Sequence, residues 1–227
     1  NSQQPTLQPL PVHGMFYRWG VDLAGPFPET SAGNTYVMIM IEHFSKHVEL
    51  VPIPNKLPST TAAAFVQHVL GRFGSPAEVV TDRGGEWEDE FAAVLRRAFI
   101  DHRRTSAGHP QADGMTERYV QTMKGSLSKM CAEKGDKDNW DMHLPWLALG
   151  YRCSPQKSTG LSPYQIMYAR NPTVPPALRE RMAQPVNIDD PELAAADFLQ
   201  RAKQVEELCI IAGDNLRIAQ HRDTLRY

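Results

Sequence analysis

The sequence predicts an α/β domain, in which a mixed five-stranded sheet is flanked by helices and followed by a helical C-terminal extension. Two observations support this class. Short apolar runs typical of strands lie mostly in the first half of the chain, and segments with apolar residues at helical spacing alternate with them and then follow them. The order is three strands, helix, strand, helix, strand and then further helices, which is typical of a sheet covered by helices.

The first three predicted strands are each bounded by Pro, Gly, Asn or Ser, and they cover Tyr17–Leu23, Tyr36–Glu42 and Val48–Ile53. The second reads YVMIMIE, a nearly continuous apolar run that favours a strand buried on both faces. The fourth is the run AEVVTD, which ends at Asp82, and the fifth is IDHRRTS.

Helices are predicted where apolar residues recur at helical spacing. Residues 59–73 begin with a Ser/Thr cap, and WEDEFAAVLRRAF carries acids in its first turn, where they complement the helix dipole. A longer helix is expected from about Asp113 to Lys134, and two shorter ones near residues 141–150 and 161–169. The polar stretch from Pro191 to Arg226 completes the helical part of the chain.

Composition narrows the possible classes of protein. The 227 residues are 41% hydrophobic and 22% charged, which is ordinary for a globular chain with a full core. No apolar run approaches the roughly 18 residues of a membrane span, so no membrane partner is expected. The three cysteines form no CxxC pair, which argues against a zinc site or a disulfide framework and favours a reduced, intracellular setting. A net charge of −2 argues weakly against nucleic-acid binding, but residues 96–134 are locally basic.

Three acids stand at positions that one sheet could bring together. Asp22 lies inside the first predicted strand, Asp82 ends the fourth, and Glu117 lies where a helix is expected to begin. An acid within an apolar strand is costly unless it has a partner. Three carboxylates without neighbouring His or Cys describe an oxygen-only site that suits two Mg²⁺ or Mn²⁺ ions in phosphoryl transfer. The alternative is that each is an ordinary surface or cap acid.

Four motifs resemble the catalytic core of retroviral-type integrases, in the gypsy-like branch of the LTR retrotransposons. They are VDLAGPFP, TDRGGEW, HPQADGMTER and YRCSPQKSTGLSPYQIMYARNP, and they span roughly residues 15–175 in the family's order. The resemblance implies an RNase H-like fold, with Asp22, Asp82 and Glu117 as the catalytic triad and the ligands of two Mg²⁺ (or Mn²⁺) ions. The 34 residues between Asp82 and Glu117 are one fewer than the usual retroviral spacing.

The resemblance also implies contacts with DNA. Lys124 and Gln121 share a helical face with Glu117, and a lysine at the offset of Lys124 holds the DNA end in related integrases. The other residues expected at DNA are Arg83, His109, Gln111 and Arg118. A solvated lysine and a histidine in a structural hydrogen bond are the alternatives for Lys124 and His109.

The resemblance divides the chain into an arm or linker (residues 1–15), the integrase catalytic core (residues 16–178) and a helical connector (residues 179–227) toward an absent C-terminal domain. Neither the zinc module nor the SH3-like domain of such integrases is visible, so no zinc is expected here.

The expected activity is that of a polynucleotidyl transferase with endonuclease activity, which trims the 3′ ends of retroelement DNA and joins them to target DNA. Its expected partners are both DNAs and further copies of the chain, as a dimer or tetramer. Action in the nucleus is expected, after a stage in a cytoplasmic virus-like particle. The alternatives are an integrase-derived DNA-binding or interaction protein without catalysis, and another nuclease on the same fold.

Overall fold

The computed structural model describes residues 13–105, 120–129, 138–156, 159–172, 190, 192–196 and 199–200. Most of the predicted arm, the start of the helix expected from Asp113, and nearly all of the stretch from Pro191 to Arg226 lie outside these residues.

The described residues form the mixed five-stranded sheet that the sequence predicts. Its strands are β1 (Arg18–Ala24), β2 (Tyr36–Glu42), β3 (Val48–Ile53), β4 (Glu78–Thr81) and β5 (Asp101–Arg104), in the spatial order β3-β2-β1-β4-β5. The hairpin-connected strands β1, β2 and β3 pair antiparallel, whereas β4 pairs parallel to both β1 and β5. β4 ends one residue earlier than predicted, so Asp82 follows the strand.

Helices cover both faces of this sheet. They are α1 (Pro58–Phe65, continued by a π-helical turn at Val66–Leu70 and a last turn at Gly71–Phe73), α2 (Asp89–Arg97), α3 (helical residues 120–129), α4 (Leu144–Arg152) and α5 (Pro163–Tyr168). The Ser/Thr cap predicted for α1 is wrong, because the helix begins at Pro58 and its N-cap, Leu57, makes no side-chain cap bond. Proline is well suited to that first position, where its missing N–H costs no helical bond.

The core is divided by the sheet into two apolar layers, and β2 contributes to both. Alternate residues point to opposite faces of a strand, so Val37 and Ile39 join one layer while Met38 and Met40 join the other. The first layer contains α3 and α4, and the second contains α1 and α2. Val120, Met123 and Leu127 recur at helical spacing on α3, and their burial in the first layer fixes this helix against the sheet.

Both edges of the sheet carry charge. At β3, Arg152 of α4 donates to the Val48 carbonyl oxygen at 2.8 Å and pairs with Glu49 at 2.9 Å. At β5, Asp101, Arg103 and Arg104 are exposed. Within the described part of the chain, no helix is long and apolar enough to cross a membrane.

A buried ion pair joins β1 to β4 at the start of their parallel pairing. Arg18 and Glu78 are register partners with 4% and 1% exposure, and the guanidinium of Arg18 donates to both carboxylate oxygens at 2.9 and 3.2 Å. Arg103 of β5 approaches the same carboxylate at 3.1 Å. Removing one member of such a pair leaves an uncompensated charge in the interior.

We expect Glu78→Gln to lower the free energy of unfolding by about 3 kcal/mol, because the buried guanidinium of Arg18 then loses the carboxylate to which it donates. Urea unfolding followed by circular dichroism measures the change. Asp101→Asn is the matched control, since its pair with Arg103 at 3.3 Å is exposed and should contribute less than about 1 kcal/mol. Equal effects of the two substitutions would contradict the larger contribution that we assign to the buried pair of Arg18 and Glu78.

His43 makes stability depend on pH. Burial, followed by the charges of Lys46 and Arg18, lowers the pKa of His43 to about 3, whereas an unfolded histidine titrates near 6.5. As the pH falls below 6.5 the unfolded chain therefore binds this proton first, and the free energy of unfolding decreases by up to about 1.4 kcal/mol per pH unit. Urea unfolding between pH 7.5 and 5 should show a shallower pH dependence for His43→Gln. Identical slopes would contradict the prediction.

Candidate active site at the ends of the central strands

The parallel pairing of β1 with β4 brings two of the predicted acids together. Its register matches Gly20 with Val80; Asp22 lies two residues further along β1, and Asp82 is the first residue after β4. Neighbouring strands are about 4.8 Å apart, and alternate residues of a strand point to the same face. For Asp22 that face is the one of Ala24, which packs in the layer of α3. The carboxylate of Asp22 therefore belongs to the side of the sheet that α3 covers, and Asp82 follows the neighbouring strand.

Asp22 is half-buried and both of its carboxylate oxygens accept a hydrogen bond. Oδ1 accepts the backbone N–H of Leu23 at 2.7 Å, and Oδ2 accepts from Nζ of Lys124 at 3.3 Å. Burial raises the pKa of Asp22, the Lys124 charge and the Leu23 bond oppose the increase, and the charge of Asp82 adds to it. The two carboxylates are thus close enough to repel each other.

Asp82 is oriented by the turn that follows β4. Its Oδ1 accepts the backbone N–H of Gly84 at 3.0 Å and the indole N–H of Trp87 at 2.6 Å. Trp87 is 1% exposed and packs edge-on against Phe91 of α2. Sequence reasoning missed the bond between Trp87 and this acid. The pattern D-x-G-x-x-W is the signal that could have suggested this bond.

Gly84 lies beside the side chain of Glu86. A Cβ at this position would stand 2.5 Å from the carboxyl carbon of Glu86, so the flexible end of that side chain would have to move. The contact that bears on the site is the backbone N–H of Gly84, which donates to Asp82.

The loop after β1 is anchored beside the site. Asp141 accepts hydrogen bonds from Thr30 Oγ1 at 2.9 Å and Asn34 Nδ2 at 2.8 Å, and Trp140 donates its indole N–H to the Pro28 carbonyl at 2.7 Å. These bonds join the β1–β2 connection, which begins three residues after Asp22, to the turn before α4. The sequence gives no sign of this contact between distant segments.

The remaining predicted site residues are distributed as follows. Lys124 meets Asp22, while Gln121 on α3 and Arg83 beside Asp82 are exposed. Four lie outside the described residues, namely Glu117, His109, Gln111 and Arg118.

The donors present suit a hard divalent cation. Asp22 and Asp82 offer only oxygen, the ligand atom that such cations prefer. The pKa of Asp22 is raised chiefly by burial, and the charge of Asp82 adds to that increase. Among the described residues, no group of three or more His, Cys, Asp or Glu side chains could hold a metal ion. Glu117, the third carboxylate predicted from the sequence, lies outside the described residues.

The sequence matches known proteins across this region. Residues 13–110 match the family model described as the integrase core domain. The chain is 27% identical over 188 residues to the retrovirus-related Pol polyprotein from transposon 412 of Drosophila melanogaster, which covers 82% of this chain and 15% of that polyprotein. It is 31% identical over 152 residues to Gypsy retrotransposon integrase-like protein 1 of Rattus norvegicus, covering 67% of this chain and 29% of that protein.

Solved structures share the fold. The catalytic core domain of BIV integrase matches with a TM-score of 0.51 and 22% identity over 66% of this chain and 92% of that one. The HTLV-2 integrase catalytic core domain in complex with magnesium matches with a TM-score of 0.50 and 20% identity, over 66% of this chain and 95% of that one. A simian T-cell lymphotropic virus intasome in complex with PP2A regulatory subunit B56 gamma matches with a TM-score of 0.56 and 18% identity, over 76% of this chain and 65% of that one.

These matches define an RNase H-like fold and a class of polynucleotidyl transferases. The chain belongs to the retroviral-type integrase core family, as its four motifs predict. It spans between 15% and 29% of the length of the two relatives described above.

We expect Trp87→Phe to weaken Mn²⁺ binding about tenfold, because phenylalanine keeps the packing against Phe91 but cannot donate to Asp82. Isothermal titration calorimetry measures the affinity. Trp140→Phe is the matched control, because it also removes a buried indole bond, to the Pro28 carbonyl, without contacting either acid. Equal affinities in the two variants would show that the Trp87 bond does not orient a metal ligand.

Proposed function

We propose that this chain is the catalytic core of a metal-dependent DNA integrase, which processes the 3′ ends of retroelement DNA and transfers them to target DNA. The single observation that supports it most strongly is the placement of Asp22 and Asp82 at adjacent ends of parallel strands, within an integrase core. Glu117 follows 35 positions after Asp82 and would complete the triad.

Asp22, Asp82 and Glu117 would hold two Mg²⁺ or Mn²⁺ ions, since carboxylate oxygens are the ligands that these cations prefer. When bound, such ions lower the pKa of an attacking water or hydroxyl and neutralise charge on a phosphodiester. The magnesium named for the HTLV-2 catalytic core supports this choice of cofactor.

The protein's own residues would orient the two carboxylates and position the DNA. Leu23 and Trp87 hold the two carboxylates through N–H bonds, so that the acids need no rearrangement before they bind a cation. Lys124 carries a positive charge 3.3 Å from Asp22 and is suited to a DNA phosphate. Arg83 and Gln121 are exposed and accessible to the same DNA.

The proposed reaction has two transfers at phosphorus. In the first, water attacks a phosphodiester near the end of the element, the bond to the 3′ oxygen breaks, and that oxygen takes a proton to become a free 3′-hydroxyl. In the second, this hydroxyl attacks a target phosphodiester, a new ester bond forms, and the displaced target 3′ oxygen takes the proton. No side chain of the protein acts as the nucleophile in either transfer.

The proposal extends to partners and location. The intasome relative supports DNA and further copies of the chain as partners. Action would take place in the nucleus after a stage in a cytoplasmic virus-like particle. The division into residues 1–15, 16–178 and 179–227 stays a prediction.

The test is a strand-transfer and disintegration assay on labelled DNA with Mg²⁺ or Mn²⁺. We expect Asp22→Asn, Asp82→Asn and Glu117→Gln each to reduce product at least about 100-fold, because loss of a direct ligand should exceed loss of an outer-shell partner. Asp101→Asn is the control, since this acid is exposed on β5 and pairs only with Arg103 among the described residues.

Full activity in Asp82→Asn or Glu117→Gln would refute the proposal. Inactivity of every protein, combined with tight DNA binding, would favour the alternative of a DNA-binding protein derived from an integrase. Cleavage of RNA–DNA hybrids in preference to DNA would instead favour another nuclease on this fold.

A further inference from the structure

The contact between Lys124 and Asp22 joins α3 to the central strand of the sheet. Nζ of Lys124 lies 3.3 Å from Oδ2 of Asp22, across 102 positions of sequence, and the two side chains are 40% and 33% exposed. The backbone of Lys124 is fixed, because Met123 and Leu127 on the same helix are buried in the core. Its position over Asp22 therefore follows from the packing of α3.

The ammonium group of Lys124 lies at one oxygen of Asp22. Oδ1 accepts the Leu23 N–H at 2.7 Å, and Lys124 stands at Oδ2 at 3.3 Å. A divalent ion held by Oδ2 would have to share that oxygen with the ammonium group. Two cations at one carboxylate oxygen repel each other.

We propose that Lys124 is an exchangeable counter-cation: its ammonium group neutralises Asp22 until a divalent ion binds, is displaced by that ion, and then becomes available to a DNA phosphate. The proposal rests on the metal site of the proposed function, and adds to it an order of events within that site.

The chemistry of the two residues supports the exchange. Asp22 lies near Asp82, so the metal-free site holds two negative charges that repel each other, and one lysine relieves part of that repulsion. Lys124 also lines an apolar crevice with Ala24, Met123 and Leu127. Its hydrocarbon stem can remain there while the flexible end carries the ammonium group away from Asp22.

The exchange would couple metal binding to DNA binding. An ion that releases Lys124 makes one more positive charge available to phosphate, so the ion increases DNA affinity. By thermodynamic linkage, DNA must increase the affinity for the ion by the same factor. Lys124 would thus be a positioning residue whose location depends on whether the metal is bound.

The first test measures Mn²⁺ affinity by isothermal titration calorimetry in the absence of DNA. We expect Lys124→Met to bind Mn²⁺ about three- to tenfold more tightly than the unsubstituted chain, since methionine keeps the apolar stem and removes the competing charge. Lys124→Arg keeps the positive charge and should bind Mn²⁺ with the affinity of the unsubstituted chain. The matched control is Lys129→Met, because Lys129 lies on the same helix and donates to the Glu192 carbonyl at 2.9 Å instead.

The second readout is thermal unfolding, which requires no catalysis and also shows that each variant is folded. Without metal, Lys124→Met should unfold at a lower temperature than Lys129→Met, because the repulsion between Asp22 and Asp82 is no longer relieved. Saturating Mn²⁺ should raise its unfolding temperature by more than that of the unsubstituted chain.

The outcomes separate the inference from the function on which it rests. If the unsubstituted chain binds Mn²⁺ and Lys124→Met binds it equally or more weakly, the exchange is overturned while the metal site stands. If the unsubstituted chain binds no Mn²⁺, or Asp22→Asn binds it equally well, the metal site and the exchange both fail. Tighter binding in Lys124→Met but not in Lys129→Met supports the exchange.

Discussion

The parallel pairing of β1 with β4 is the constraint on which the site depends. These strands are separated by more than 50 residues of sequence, and their pairing brings Asp22 of β1 near Asp82, the first residue after β4. A shift of one residue in this register would turn the residues of one strand to the opposite face. The buried pair of Arg18 and Glu78 favours the observed register, because any other would leave a charge in the interior without its partner.

The two ends of this strand pair differ in their electrostatics. At one end, Glu78 is neutralised by Arg18 and approached by Arg103. At the other end, Asp22 pairs with Lys124 at 3.3 Å, and burial raises the pKa of Asp22 although the lysine charge opposes that increase. The ion pair that holds the register is thus buried, whereas the ion pair at the site is partly exposed.

Local patterns in the sequence were sufficient to predict the sheet. YVMIMIE predicts a strand buried on both faces, and β2 separates two apolar layers. Helical periodicity predicts the helix that includes residues 120–129. The roles of Asp22, Asp82 and Lys124 stay predictions. The contacts of Asp22 with Lys124 and of Asp141 with Thr30 could not be predicted, because each joins segments more than 100 positions apart and depends on tertiary packing. The roles of Glu117, His109, Gln111 and Arg118 stay predictions.

The charged edges of the sheet restrict how this domain can aggregate or assemble. An added strand at β3 would have to displace the guanidinium of Arg152 from the Val48 carbonyl. At β5, it would have to pack against Asp101, Arg103 and Arg104. Sheets with such edges resist extension by a neighbouring molecule. Copies of this domain would therefore associate through helices and loops, and each five-stranded sheet would end within its own subunit.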